Sequence, residues 1–212
     1  CKAVVEALQR QLRRGTLVMP AFTEAFTRGG RLDRDRDPSE MGILPEWFRR
    51  WKDASVTRHP YHRFAASGAL ASELAETDCP SSFGPGSPME RMHCSKGKIL
   101  LLSVDWNVCT FFHYLEEQFE VPYREYKEFS GKIVSSETEA EETWLMHVRD
   151  PERGIRNDFD AFGESVDNAG LSQVLTVGPM QLKLIEMEPL FEFVYASLER
   201  DPNCLVRKGR ER

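Results

Sequence analysis

An apolar run, Leu100-Leu101-Leu102, breaks at Asp105-Trp106-Asn107 and gives way to Phe111-Phe112-His113-Tyr114-Leu115-Glu116-Glu117. Its spacing reads as a buried strand, a tight turn over 105–107 and a helix beginning near Thr110. A strand feeding a helix is the building unit of open α/β sheets, and ligands tend to sit at the carboxyl end of such a strand, facing the helix N-terminus. His113 falls in the first or second turn of the helix, with Glu116 at i+3 and Glu117 at i+4. At least one carboxylate can therefore share the imidazole's face and hold it. A base with an orienting acid is one reading. A half-buried, satisfied histidine among Phe111, Phe112, Tyr114 and Leu115 is the other, and spacing alone favours it.

A chain of 212 residues with 41% hydrophobic and 29% charged residues has enough apolar material for one soluble domain with a real core. The formal charge of -6 argues against a nucleic-acid binder and suits a polycationic small ligand. Cys1, Cys79, Cys94, Cys109 and Cys204 show neither a CxxC pair nor a Cys/His spacing suited to zinc, and read as reduced cytosolic thiols. No stretch approaches the roughly 20 apolar residues of a membrane span, so the expected location is the cytoplasm, without a membrane partner.

Val4, Val5, Leu8 and Leu12 stand at helical spacing within 2–14, and Gly15 stops the helix before a short strand over Thr16 to Pro20. Residues 27–39, rich in glycine and in charges of both signs, read as a solvated loop. Pro45 and Glu46 suit the first turn of a helix. His59 and His62 are three apart, but Pro60 argues against a helix presenting both, and no third ligand is placed, so no metal is expected. Arg58, His59, His62 and Arg63 make a compact donor cluster suited to phosphate oxygens or a hydroxyl, and equally a polar loop packed on a sheet. Ser87 followed by Pro88 is a natural helix cap that needs no ligand. Farther on, 123–134 suggests a hairpin around Ser130-Gly131, 137–142 an acidic solvated face, 143–148 a strand and 158–163 a helix. A last amphipathic helix over 187–198 precedes a charged, frayed tail.

Several of these segments, in order, resemble the aminoglycoside 3-N-acetyltransferase family. Gly15-Thr16-Leu17-Val18-Met19-Pro20-Ala21-Phe22 is similar to the family's G-T-L-V-M-P-x-F. Gly42-Ile43-Leu44-Pro45-Glu46 is similar to G-x-L-P-E, and Gly84-Pro85-Gly86-Ser87-Pro88 to G-x-x-S-P. Val56 to Gly68 resembles R-S/T-x-H-P-x-H-S-x-x-x-x-G, with Val56 at the usual Arg and Arg63 at the usual Ser. The segment around His113 resembles LLG-V…T-x-x-H-x-x-E, with Ser103 at the usual Gly, and Val177-Gly178-Pro179-Met180 resembles V/I-G-x-A. The likeness runs from Lys2 to about Val206.

This resemblance implies an α/β fold, a three-layer α/β/α sandwich with a mixed central sheet. It also implies a single domain over 1–206 lacking its N-terminal segment, where the family carries H-S-S-L-R/K to grip coenzyme A, and a charged tail over 207–212. The implied reaction is transfer of an acetyl group from acetyl-CoA, as co-substrate, to the 3-amino group of a 2-deoxystreptamine aminoglycoside. His113 would be the general base, oriented by Glu116 and by an acid of the loop 149–154. Asp150 is favoured there, with Glu152 left open. Pro20 and Phe22 would line the pantetheine channel, and Arg58, His59, His62 and Ser87 would contact the cofactor. The partner is a small-molecule amine, with room for a homodimer. Transfer would be direct, leaving Cys109 a tempting but unneeded nucleophile. A coenzyme-A-binding homologue without turnover, or acting on another amine, is the alternative suggested by Val56, Arg63, Ser103 and Pro179-Met180. A hydrolase is disfavoured, because no serine sits in a G-x-S-x-G elbow.

Overall fold

The computed structural model of the protein describes residues 1–12 and 14–208, and the chain divides into two units. The first takes Cys1–Pro88 and Lys127–Met146, the second Met89–Tyr126 and His147–Arg212. Parallel and antiparallel strand pairs both occur, and helices and strands interleave along the chain, which is the α/β class expected. Among the described residues no helix is long and apolar enough to cross a membrane.

In the first unit, helix Lys2–Leu12 buries Val5 and packs Leu8 beside it, the face anticipated from the apolar spacing. Arg13, within the helix span read from the sequence, lies outside the described residues. Strand Thr16–Pro20 pairs antiparallel with Phe64–Gly68, whose other edge takes Ser55–Val56. Val5, Met19, Ala21, Phe48 and Ala65 form the core on this sheet, with Leu44, Trp47 and Trp51 of the Ile43–Arg49 region packed against it. Helix formation there follows from Pro45 early in the helix and from Glu46, which accepts both the Ser39 backbone N–H at 2.7 Å and the Arg49 guanidinium.

The residues read as a solvated loop, 27–39, are more ordered than their composition suggests. They include the end of helix Ala25–Gly29 and strand Arg31–Asp33, which pairs parallel with Arg124–Val134. Leu32 is the reason. It is fully buried with Phe26, Ile133 and Trp144, while the Asp33 carboxylate takes the N–H groups of Asp35 and Arg36 and closes the turn behind it. The hairpin also lies elsewhere than expected. Strand Arg124–Val134 runs through Ser130-Gly131 unbroken, and the turn comes at Ser135–Thr138, where Ser135 N–H donates to the Thr138 carbonyl at 2.8 Å. Gly131 serves close approach instead: a Cβ there would stand 2.4 Å from the carbonyl oxygen of Gly30, which accepts the N–H of Lys132.

In the second unit, strand Lys98–Leu102 pairs antiparallel with Met180–Glu186, which pairs in turn with Ser172–Val177. The Leu100-Leu101-Leu102 run is thus an edge strand with one face covered, Leu101 buried and Leu100 exposed, rather than the fully buried strand its composition suggested. Helix Phe111–Phe119 begins where expected and packs on Met187–Arg200, with Tyr114 and Phe119 meeting Phe191 and Tyr195. Helix Phe159–Asn168 carries Gly163, over which Trp106 lies so closely that a Cβ would stand 2.1 Å from the indole. After Arg200 the chain does not simply fray. Val206–Lys208 pairs antiparallel with Ile155–Asn157, and the remainder of the expected tail, 209–212, lies outside the described residues.

Candidate active site

Helix Phe111–Phe119 places His113 on its one half-open face. Phe111, Phe112, Tyr114 and Leu115 are buried around it, and the side chain of His113 keeps 27% of its surface exposed. Its ring rests edge-on against Phe159, with centroids 5.0 Å apart. One turn on, Glu116 is wholly buried and its Oε2 lies 2.7 Å from His113 Nδ1. The choice left open between i+3 and i+4 is thereby made for i+3.

A buried carboxylate needs more than one partner. Tyr123 donates its hydroxyl to Glu116 Oε1 at 3.0 Å, and Arg124 Nε lies 2.9 Å from Oε2. The arginine is itself fixed, donating Nη1 to the His147 carbonyl at 2.9 Å and Nη2 to the Asn157 amide oxygen at 3.4 Å. Burial alone would raise the Glu116 pKa. The hydrogen bond of His113, the charge of Arg124 and the Tyr123 hydroxyl together outweigh it and hold the carboxyl below its ordinary value.

The proton on His113 follows from this arrangement. Nδ1 has two close neighbours, Glu116 Oε2 at 2.7 Å and Arg124 Nη2 at 3.1 Å, and they make opposite demands. An ionised carboxylate is the stronger partner, and a guanidinium offers no lone pair, so we assign the proton to Nδ1 and the imidazole lone pair to Nε2. Arg124 Nη2 is then a neighbouring positive charge rather than a donor to the ring. An imidazole in this tautomer, oriented by a carboxylate, can take a proton at Nε2 and delocalise the resulting charge toward Glu116.

Other residues of this unit frame the same region. The turn after the edge strand is clamped by helix Phe159–Asn168: the Asn107 backbone N–H donates to Asp160 Oδ1 at 2.9 Å and its side-chain amide to Oδ2. Trp106 Nε1 donates to Asp167. His147 is held neutral, its pKa lowered to about 4 by burial and then by the Arg124 charge. Asp150 makes its recorded contacts on its own turn, accepting the Glu152 N–H at 2.9 Å and facing Arg153 at 3.4 Å. Cys109 is buried, and that burial pushes its thiol up to about 12. A thiol so placed stays protonated and is a poor nucleophile.

In the first unit, Pro20 ends its strand opposite Phe64, and Phe22 stacks on Tyr61 and meets the His62 and Phe64 rings edge-on. His59 is buried and its polar atoms are engaged: Nδ1 accepts the N–H groups of Tyr61 and His62, while Nε2 faces the Leu145 carbonyl at 3.3 Å and Ser82 Oγ at 3.1 Å. Burial lowers its pKa to about 4, so it is neutral. His62 Nδ1 meets the same Ser82 Oγ at 2.7 Å. Arg58 is half-exposed and reaches Asp78 at 3.5 Å, and Ser87 is fully buried at the start of Pro88–Cys94. Among the described residues no three His, Cys, Asp or Glu side chains gather as a metal site.

With this geometry in view, comparison with known proteins gives a single answer. The family model for aminoglycoside 3-N-acetyltransferase matches residues 1–199. The chain belongs to that family. It is 30% identical over 183 residues to aminoglycoside N(3)-acetyltransferase VII of Streptomyces paromomycinus, covering 81% of this chain and 60% of that one. To aminoglycoside N(3)-acetyltransferase IX of Micromonospora chalcea it is 29% identical, covering 78% and 63%. The chain thus spans about three fifths of the length of these relatives. Among solved structures, aminoglycoside acetyltransferase AAC(3)-IVa matches at a TM-score of 0.76 with 26% identity, over 95% of this chain and 76% of that one. A histidine-to-alanine mutant of that enzyme has been crystallised with apramycin, and this complex matches at a TM-score of 0.72. AAC-IIIb with coenzyme A shares the fold at a TM-score of 0.80 and 18% identity.

Two members of the His113 cluster escaped the sequence reading. Tyr123 and Arg124 follow the helix stop at Pro122 and begin a strand, so periodicity assigned them no face. The one available signal was chemical, because a carboxylate expected to be buried requires a cation and a hydroxyl nearby, and Tyr123-Arg124 is the pair that follows the helix.

Proposed function

We propose that this chain carries out acyl transfer from acetyl-CoA to an amine, the 3-amino group of an aminoglycoside, with His113 as general base. The observation that carries the reading is the 2.7 Å contact of His113 Nδ1 with the buried Glu116 carboxylate, which directs the imidazole lone pair to Nε2. Acetyl-CoA supplies the acyl group as a thioester. The acceptor amine bonds to the carbonyl carbon, the carbon–sulfur bond breaks with coenzyme A leaving as its thiolate, and the amine must lose a proton as it does so. His113 Nε2 takes that proton, and the imidazolium's Nδ1–H is steadied by Glu116. Tyr123 and Arg124 keep Glu116 ionised and fixed, which makes them positioning residues. The buried, protonated Cys109 favours direct transfer over an acyl-enzyme.

The donor chemistry of the first unit fits a phosphorylated, thiol-bearing cofactor. Phe22 offers an apolar ring, and Arg58 and His62 are the reachable polar groups of the set expected from the sequence. His59 and Ser87 are buried and act behind them, His59 by fixing the backbone of Tyr61 and His62. Asp150, or Glu152 on the same turn, is a second acid for the amines of a cationic acceptor. The free cysteines and the acetyl-CoA requirement agree with a cytoplasmic setting.

Thiol release from acetyl-CoA with a panel of aminoglycosides and simpler amines tests the reading. His113→Ala should lower turnover ~100-fold or more and change coenzyme A affinity only a few-fold, because general-base help is worth roughly 10²–10⁴ and is expressed in the transition state. Near-normal turnover in His113→Ala would refute the assignment. Coenzyme A binding without thiol release by any amine would favour a binding homologue.

A further inference from the structure

Beside strand Ser55–Val56 and helix Ile43–Arg49, the first unit has a half-open cavity of about 440 Å³ lined by Arg34, Asp35, Arg49, Arg50, Val56, Thr57 and Arg63. Arginines are the commonest residue of this lining. That volume lies within the roughly 300–1,000 Å³ of small-molecule sites.

Arg63 is 1% exposed, the largest fully buried side chain among the described residues. Only Nη2 has a partner, the Asp37 carbonyl at 3.3 Å, and both Nε and Nη1 are buried without a hydrogen bond. Among the described residues no carboxylate lies within 4.0 Å of it. A buried cation with two donors unsatisfied costs several kcal/mol, and an anion is what offsets that cost.

The neighbouring carboxylates offset part of its charge, but each is turned to another donor and none pairs with the guanidinium. Arg49 is held bidentate by Glu46, and Arg50 Nε lies 2.6 Å from the same carboxylate, so one negative charge serves two arginines. Arg34 reaches Glu142 only at 3.8 Å. Asp35 lines the cavity but turns its carboxylate to the Ser136 N–H at 2.6 Å. The Asp37 carboxylate accepts the Asp33 N–H at 2.7 Å. An oxyanion would find the under-bonded Arg63 guanidinium, with further positive charge from Arg34 and Arg50 and the Thr57 side wall.

We propose that this cavity is an oxyanion site that takes a phosphate-class group against the under-bonded guanidinium of Arg63. The site does not depend on the acetyl-transfer reading. Both coenzyme A and free phosphate carry the required chemistry.

Calorimetric titration of inorganic phosphate into the protein, with chloride at matched ionic strength as control, tests the proposal. Saturable binding is expected. It should weaken about 10-fold or more in Arg63→Met, where the charged donors are lost, and about 3-fold in Arg50→Gln. Arg50 is 65% exposed on its side chain, so its replacement should not disturb folding, and it keeps the test valid if Arg63→Met is unstable. Absence of phosphate binding, or binding unchanged in both variants, would overturn the proposal. Repeating the titration with coenzyme A present identifies the source: competition places a coenzyme phosphate on Arg63, and independent binding places a free anion there. Either of these upholds the site.

Discussion

Arg124 Nε lies 2.9 Å from Glu116 Oε2, the oxygen that also meets His113 Nδ1 at 2.7 Å. Arginine and imidazole therefore share one buried carboxylate oxygen. Arg124→Met should destabilise the protein by about 3–5 kcal/mol, because it leaves a wholly buried charge short of a partner. The double variant Arg124→Met with Glu116→Gln should cost less than the sum of the two single changes, since the uncompensated charge is then gone. Urea unfolding of the four proteins measures this. Additive costs would mean that the pair is energetically uncoupled.

Cys109→Ser should keep most of the activity, and mixing the protein with acetyl-CoA alone should leave no acetyl group on it. Burial holds the Cys109 thiol protonated, up to about 12, which leaves a negligible thiolate fraction near neutrality. Intact-protein mass spectrometry decides the point. A kinetically competent adduct on Cys109 would replace direct transfer with a two-step reaction.

Gly163→Ala should be severe for a single methyl group. The added Cβ would stand 2.1 Å from the ring of Trp106, an indole whose Nε1 is tied to Asp167 and over which Lys183 lies at 5.5 Å. Overpacking of this kind costs about 1–3 kcal/mol. The variant should show that loss in denaturant together with altered tryptophan emission, whereas unchanged stability would show that the indole can move aside.

Stability should fall with acid earlier than carboxylate titration would require. His59 and His147 are each held near 4 in the folded protein, by burial first and by arginine charges as well, against an ordinary value of 6.5. Above 6.5 both states leave them neutral and nothing is lost. As pH drops from 6.5 toward 4 the unfolded chain binds protons that the folded chain does not, so unfolding becomes easier. Once pH passes below 4 the two states match and this contribution stops changing. His147→Leu should make the decline across that window shallower in urea melts, and an identical slope would show that His147 titrates normally.

The elements that could be read from sequence are those whose cause is local. Helix Phe111–Phe119, strand Thr16–Pro20 and the last helix carry their own periodicity and stop signals. Ser103, which the resemblance sets at a glycine position, has a φ of +53°, so the chain turns through the left-handed region after the edge strand, a conformation that suits glycine. What escaped depends on partners far away in sequence. Arg31–Asp33 becomes a strand because Ile133 and Trp144 cover Leu32. Gly131 is a close approach to Gly30 and not a turn. Arg63 read as one of several donors near His59, and only burial shows that its guanidinium is left without an anion.

Helix Phe111–Phe119 ends with Glu120 in the left-handed region and the Val121 N–H donating back to the Glu116 carbonyl at 3.1 Å. Pro122 then forbids continuation, and the reversal delivers Tyr123 and Arg124 onto the side chain of the same Glu116. His113, its acid and the two groups that hold the acid are thereby contained in a dozen consecutive residues. Closing so short a segment loses little chain entropy, so the cluster has very low contact order.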